Sequence, residues 1–155
     1  MAKNRKRGKA DKRAKAEFAP KTGKTPKLPP GFTGQVYDAH PGWWLQAIDH
    51  DGAFGWDRCS RSDLSLVEKR LASLEQQTRR QLEQGDRSNH SVPRSRISSD
   101  AKRRLRDIDM DDVDDLYQLH VTGPKRVWGI RFGPYLKLLW WDPDHQVYPV
   151  RKRHT

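Results

Sequence analysis

Residues 116–141 constrain this chain more than any other stretch. They hold three runs, LYQLHVT, RVWGIRF and YLKLLWW, separated by Gly123-Pro124-Lys125 and Gly133-Pro134. In the first run Tyr117, Leu119 and Val121 alternate with Gln118, His120 and Thr122. In the second, Arg126, Trp128, Ile130 and Phe132 alternate with Val127, Gly129 and Arg131. A period of two marks extended strands, and connections this short allow only antiparallel hairpins. The third run is apolar on most of both faces, so it predicts a buried strand. QVYPV, at 146–150, predicts a final edge strand, since Pro149 lacks the N–H that an interior strand needs.

Upstream, the pattern changes to a helical one. Leu64, Val67, Leu71, Leu74, Thr78 and Leu82 recur at spacings of three and four, which makes one apolar stripe. Ser62 is a candidate cap, Ser65 with Glu68 an alternative capping box, and Gly85 a stop. DRSNHSVPRSR, at 86–96, predicts a polar connector. A second helix begins at Ser98 or Ser99 and buries Ala101, Leu105 and Ile108, with its cations pointing elsewhere. GWWLQAI predicts a strand near 43–49, followed by an irregular loop through DHDGAFGWD. The expected fold is α+β, with two helices packed on one face of a small antiparallel sheet.

Charge divides the chain. Residues 1–30 carry eleven Lys or Arg against Asp11 and Glu17, a net of +9, out of +11 for all 155 residues. All six tryptophans follow residue 42. Residues 1–31 therefore predict a basic arm, disordered when free because it has almost nothing to bury. Residues 32–155 predict one folded domain. Lys3, Arg5, Lys6, Arg7, Lys9, Lys12 and Arg13 in the arm suit nucleic-acid phosphates, as do Lys102, Arg103 and Arg104 on the second helix. Cys59 stands alone, so no intramolecular disulfide forms, which fits a reducing cytoplasm. The basic N-terminus has no apolar stretch behind it and no run is long enough to span a membrane, so a soluble protein with no membrane partner is expected. The five aspartates of IDMDDVDD lack the spacing and the glycine of a calcium loop, and the histidines form no zinc pattern with Cys59. No metal and no cofactor is expected, and no phosphate-binding glycine loop is present.

The chain leaves its third strand through Asp142-Pro143-Asp144, and His145 emerges beyond that turn, three residues before Tyr148. Arg126 and Arg131 lie on opposite faces of their strand by parity, so one of them shares a surface with His145; the sequence does not fix which. The element order, with LHVTGPKRVWGIRF and DPDHQVYPV, resembles the RelE/ParE toxin superfamily of bacterial toxin–antitoxin systems. The likeness covers roughly residues 43–150 in topology, and its motifs lie within about 115–150. Members with RNase activity are ribosome-dependent mRNA interferases. The resemblance implies a RelE-like β-α-α-β-β-β domain whose catalytic residues are Arg126 or Arg131 with His145 and Tyr148. It also implies RNA or the ribosome as target and a cognate antitoxin as partner. The chain departs from the family at Leu136 and Lys137, where a second regular arginine is expected, and in its long arm and WWDPDH.

Such an activity has intelligible chemistry. RNA is cut without metal when its 2′-hydroxyl attacks the adjacent phosphate. Histidine suits the proton transfers, and arginine suits the charge on the phosphoryl oxygens. Tyr148 can stack on a base or orient its phosphate. The remaining proton-transfer group is unassigned by the sequence; Lys102, Arg103 or Arg104 on the second helix could assist, but their spacing selects none of them. Two other functions fit the same residues. One is a nucleic-acid- or ribosome-binding protein without catalysis; the other is a gyrase-directed, ParE-like toxin that acts by protein contact.

Overall fold

The computed structural model describes residues 38–149. Its centre is a five-stranded mixed sheet formed by β1 (Gly42–Trp44), β2 (His90–Pro93), β3 (Asp115–Thr122), β4 (Lys125–Phe132) and β5 (Tyr135–Asp142), in the spatial order β1-β5-β4-β3-β2. The two hairpins appear where the glycine–proline turns predict them, with Gly123 and Gly133 at positive φ. β1 runs parallel to β5, so the sheet is mixed where an antiparallel one was expected. The strand expected near 43–49 ends at Trp44. Beyond it the chain turns, and Asp49 and Phe54 bond the backbone of β5 directly through Asp49 N to Leu139 O and Trp141 N to Phe54 O.

The expected polar connector at 86–96 contains β2, which pairs antiparallel with β3 and buries Val92. The expected edge strand QVYPV does not form over its described residues, 146–149. Its amides are taken by a side chain instead: the Asp142 carboxylate accepts from Gln146 N and Val147 N at 2.8 and 3.0 Å.

Helices cover both faces of the sheet. The long helix read from the leucine stripe is two helices, α1 (Arg61–Glu75) and α2 (Arg79–Gln84). Thr78 breaks it by forming a reciprocal capping box with Gln81, which satisfies amides at the start of α2. The cap of α1 lies two residues before the expected Ser62, with Ser60 Oγ accepting from Asp63 N. Val67, Leu74 and Leu82 pack against Tyr117, Leu119, Val127, Leu136, Leu138 and Trp141. Leu64 projects outward, off that face. The expected second helix, α3 (Ser99–Asp107), is capped by Ser98 and lies on the opposite face, where Ala101 and Leu105 meet Leu116, Trp128, Ile130 and Trp140. The two expected helices therefore lie on opposite faces of the sheet and not together on one, because α3 packs on the side of Trp128 and Trp140 while α1 and α2 pack on the side of Val127 and Trp141.

LLWW is core on both sides because of a bulge. Trp128 pairs with Trp140 and Gly129 with Leu138, leaving Leu139 as an extra residue. Leu138 and Trp141 therefore face α1, while Leu139 and Trp140 face α3. Gly129 permits the close approach, since a Cβ there would sit 2.5 Å from Lys137 O. Trp128, Trp140 and Trp141 are essentially fully buried. Each removes about 150–250 Å² from water, roughly 4–6 kcal/mol apiece as an upper bound at 25 cal/mol per Å². Among the described residues, no helix is long and apolar enough to cross a membrane.

Candidate functional site

Strand register assembles the candidate site. His90 pairs with Gln118, Gln118 with Trp128, and Trp128 with Trp140. In the next row His120 pairs with Arg126, and Arg126 with Asp142. Residues directly opposite in a sheet share a face. His90, Gln118, His120, Arg126 and Asp142 therefore share the α3 face, next to the β3–β4 turn. A bulge at Val121 is what aligns His120 with Arg126. An unbulged two-residue hairpin would have put Val121 there.

His145 reaches this surface by a reversal of the chain. Its backbone sits in the left-handed region, at φ 56°, which is uncommon for a residue with a side chain. The Asp142 carboxylate braces the reversal, taking Trp128 Nε1–H at 3.1 Å in addition to the two amides of the turn. His145 Nε2 then lies 3.2 Å from Gln118 Oε1.

The hydrogen bonds fix the tautomer of that ring. Gln118 Nε2 donates to Ser88 O at 2.7 Å, which leaves Oε1 facing His145. An amide oxygen only accepts, so His145 Nε2 carries the proton. In the neutral ring Nδ1 is then the basic atom. Burial lowers the pKa of His145, and the positive charge of Arg126 lowers it further, with Asp142 opposing in part. The neutral ring is the dominant form at pH 7.

Arg126 is the most unusual group present. It is 9% exposed, yet among the described residues no carboxylate pairs with it. Asp142, opposite it in register, is committed to Trp128 and the turn. Nη1 donates to Gly123 O at 2.6 Å and to Lys125 O at 3.1 Å, and Nε is buried without a partner. Burial accordingly pushes the guanidinium pKa down, against the pull of Asp86 and Asp142. The ordinary value is so far above neutrality that the charge persists. A desolvated cation with an unused N–H beside a neutral histidine has the chemistry to suit an anion.

Arg131 falls on the other face. Its guanidinium lies over the Tyr117 ring, 4.1 Å from the centroid, and donates to Glu83, which also takes Arg79 Nε. It is a structural residue, and of the two arginines Arg126 is the one beside His145. Tyr148 is half-buried against the α3-side core with the Arg96 guanidinium 5.4 Å above its ring, and among the described residues no hydrogen bond or ring contact joins it to His145. Arg104 donates through Nε and Nη2 to the buried Asp49 at 2.8 and 2.7 Å, so it fastens α3 to the 49–54 segment. Lys102 donates to Ser95 O, and with Arg94 and Arg106 it lines an outer cleft. Arg103 pairs loosely with Asp100 at 3.5 Å. Lys3, Arg5, Lys6, Arg7, Lys9, Lys12 and Arg13 lie outside the described residues.

Sequence reasoning missed His120, His90 and Gln118 as members of one site. The hairpin pointed toward them, but the bulge that aligns them leaves no mark in the apolar alternation. Among the described residues, no group of three or more His, Cys, Asp or Glu side chains is placed to hold a metal ion. No protein-family model, curated protein or solved structure matches this chain. Its chemistry has to be read from the residues themselves.

Proposed function

We propose that this chain is a toxin-like endoribonuclease that cuts RNA by transesterification, with a phosphodiester held at Arg126 and His145 as general base. The observation that carries the reading is the buried, unpaired guanidinium of Arg126 beside the tautomer-locked His145. A phosphate would give Arg126 the counter-ion it lacks. His145 Nδ1 would take the proton of the 2′-hydroxyl as that oxygen attacks phosphorus. The reaction needs no metal, because the nucleophile is already part of the substrate.

The finer fold reading belongs with this one. Set β2 and α3 aside as an insertion, and the remaining order is β1-α1-α2-β3-β4-β5, a RelE-like sequence of elements. On that basis the substrate is mRNA on the ribosome, and a cognate antitoxin would restrain the activity. The test is regulated expression of the full chain with mapping of RNA ends and of their chemistry. New 2′,3′-cyclic phosphate ends opposite 5′-hydroxyl ends are expected, and Arg126→Met should abolish them. RNA that binds the protein but stays intact would make it a binding protein and overturn the catalytic reading.

A further inference from the structure

Transesterification needs two proton transfers, and His145 accounts for one. The second group has to protonate the departing 5′-oxygen, on the far side of the phosphorus from the attacking 2′-oxygen. We infer that His120 is this acid and that Asp86 is its positioning residue; the inference rests on the endoribonuclease reading above.

The geometry is specific. His120 stands directly opposite Arg126 in the β3–β4 ladder, so a phosphate on that guanidinium lies within its neighbourhood. His145 occupies a separate position, reached through the turn after β5 and tied to Gln118, one pair further along β3. His145 lies close enough to feel the charges of His120 and of His90. The two imidazoles thus approach the Arg126 position from different elements, His120 from β3 and His145 from the turn after β5, as an attacking and a departing oxygen require.

His120 is also held in one orientation. Its Nδ1 lies 3.1 Å from Asp86 Oδ2, and a carboxylate accepts, so Nδ1 carries a proton and Nε2 is the atom left for the substrate. The side chain is 28% exposed, so it is only partly shielded from solvent. Asp86 is itself fixed, receiving Ser88 N at 2.9 Å and Arg70 Nη2 at 3.3 Å. Burial opposes its ionisation, yet the hydrogen bonds from Ser88 and His120 outweigh that and hold its pKa below the usual carboxylate range. The His120 backbone is pinned at both ends, with N–H given to the buried Asn89 Oδ1 and O taking Arg70 Nε, each at 2.8 Å. His90 is less suited: its Nδ1 meets the Arg87 carbonyl, and among the described residues no carboxylate backs it. A histidine that needed only to fill space would not require this support.

The step balances. The 2′-hydroxyl proton passes to His145 Nδ1 as the 2′-oxygen–phosphorus bond forms. The bond from phosphorus to the 5′-oxygen breaks, its electron pair stays on that oxygen, and the proton on His120 Nε2 neutralises it. The products are a 2′,3′-cyclic phosphate and a 5′-hydroxyl. With Nδ1–H given to Asp86 and a second proton on Nε2, His120 starts as an imidazolium whose charge Asp86 balances; exchange with water restores both rings.

The test uses the intact chain in a ribosome-containing translation mixture, with a synthetic mRNA that carries sulfur in place of the 5′-oxygen at the mapped cut. A thiolate leaves without a proton, so it makes an acid unnecessary. On the ordinary substrate His120→Gln should slow cutting by about 100-fold or more, the usual worth of a positioned acid. On the sulfur substrate it should come within about tenfold of the wild type, with Asp86→Asn behaving likewise. His145→Gln should stay slow on both substrates, since the base is still needed. A folded His120→Gln protein that cuts the ordinary RNA normally, or is not rescued by sulfur, overturns this inference while leaving the endoribonuclease reading intact. A wild-type protein that cuts neither RNA overturns both.

Discussion

Arg126→Met separates a structural arginine from an anion-binding one by the sign and size of a stability change. Breaking a buried ion pair by removing one partner costs about 3–5 kcal/mol, because the other charge is left behind. Among the described residues Arg126 has no such partner, so that cost does not apply. Its two bonds to Gly123 O and Lys125 O are lost, at roughly 1.5–3 kcal/mol each for a charged donor. Against them stand the unmade Nε bond, about 1–3 kcal/mol, and the desolvation of an uncompensated ion, several kcal/mol. Methionine keeps most of the apolar packing, so the terms nearly cancel. The variant should melt within about 4 °C of the wild type, equivalent to about 1 kcal/mol for a domain of this size. Inorganic phosphate supplies the second half of the assay. At ten times its Kd it should stabilise the wild type by about 1.4 kcal/mol and the variant by none. A loss of 3 kcal/mol or more, or an equal phosphate shift in both proteins, would refute the anion-site reasoning.

Other outcomes follow from the same contacts. Asp49→Asn should cost about 3 kcal/mol in a urea melt, because Arg104 and Trp140 lose the anion they share. Burial opposes ionisation of Asp49, but the bonds from Arg104 and Trp140 prevail and hold its pKa below the ordinary value. Its contribution is therefore complete above about pH 4 and disappears as pH falls through the lowered folded value, so Asp49→Asn should flatten the acid limb of the stability curve. Arg131→Ala should lower the melting temperature yet leave RNA cleavage within about threefold of the wild type, since Arg131 serves Glu83 and Tyr117 on the opposite face. Cleavage should rise with pH through the depressed pKa of His145, placing its acid-side midpoint below the ordinary imidazole value of about 6.5. The groups that face this ring and set that midpoint are Arg126, Asp142, His90 and His120. A midpoint above 6.5 would remove His145 as the base.

Local chemistry was the legible part of this chain. The two hairpins followed from Gly-Pro turns and a period of two, and α3 followed from Ser98 and the Ala101–Leu105 spacing. Leu138 and Trp141 were rightly read as buried. What failed was set by contacts distant in sequence. The faces taken by α1 and α3 depend on which side of the sheet each crossover packs, and apolar stripes do not encode that. β2 was hidden because its alternation shows only Val92 as buried, and the edge strand after His145 lost its amides to Asp142. The candidate site was half visible. His145 was named, Arg126 and Arg131 were left as alternatives, and His120 was given no role, because the Val121 bulge that sets it opposite Arg126 is not visible in the alternation.

The central claim is that Arg126 and His145 together make a phosphodiester-cleaving site. Purified full-length protein in a ribosome-containing translation mixture tests it most directly, with cut RNA ends measured beside a thermal melt for each variant. The account predicts site-specific cutting by the wild type and none by His145→Gln, although that variant remains folded because Gln118 and Asp142 keep their other partners. A folded His145→Gln protein that cuts at the wild-type rate would contradict it.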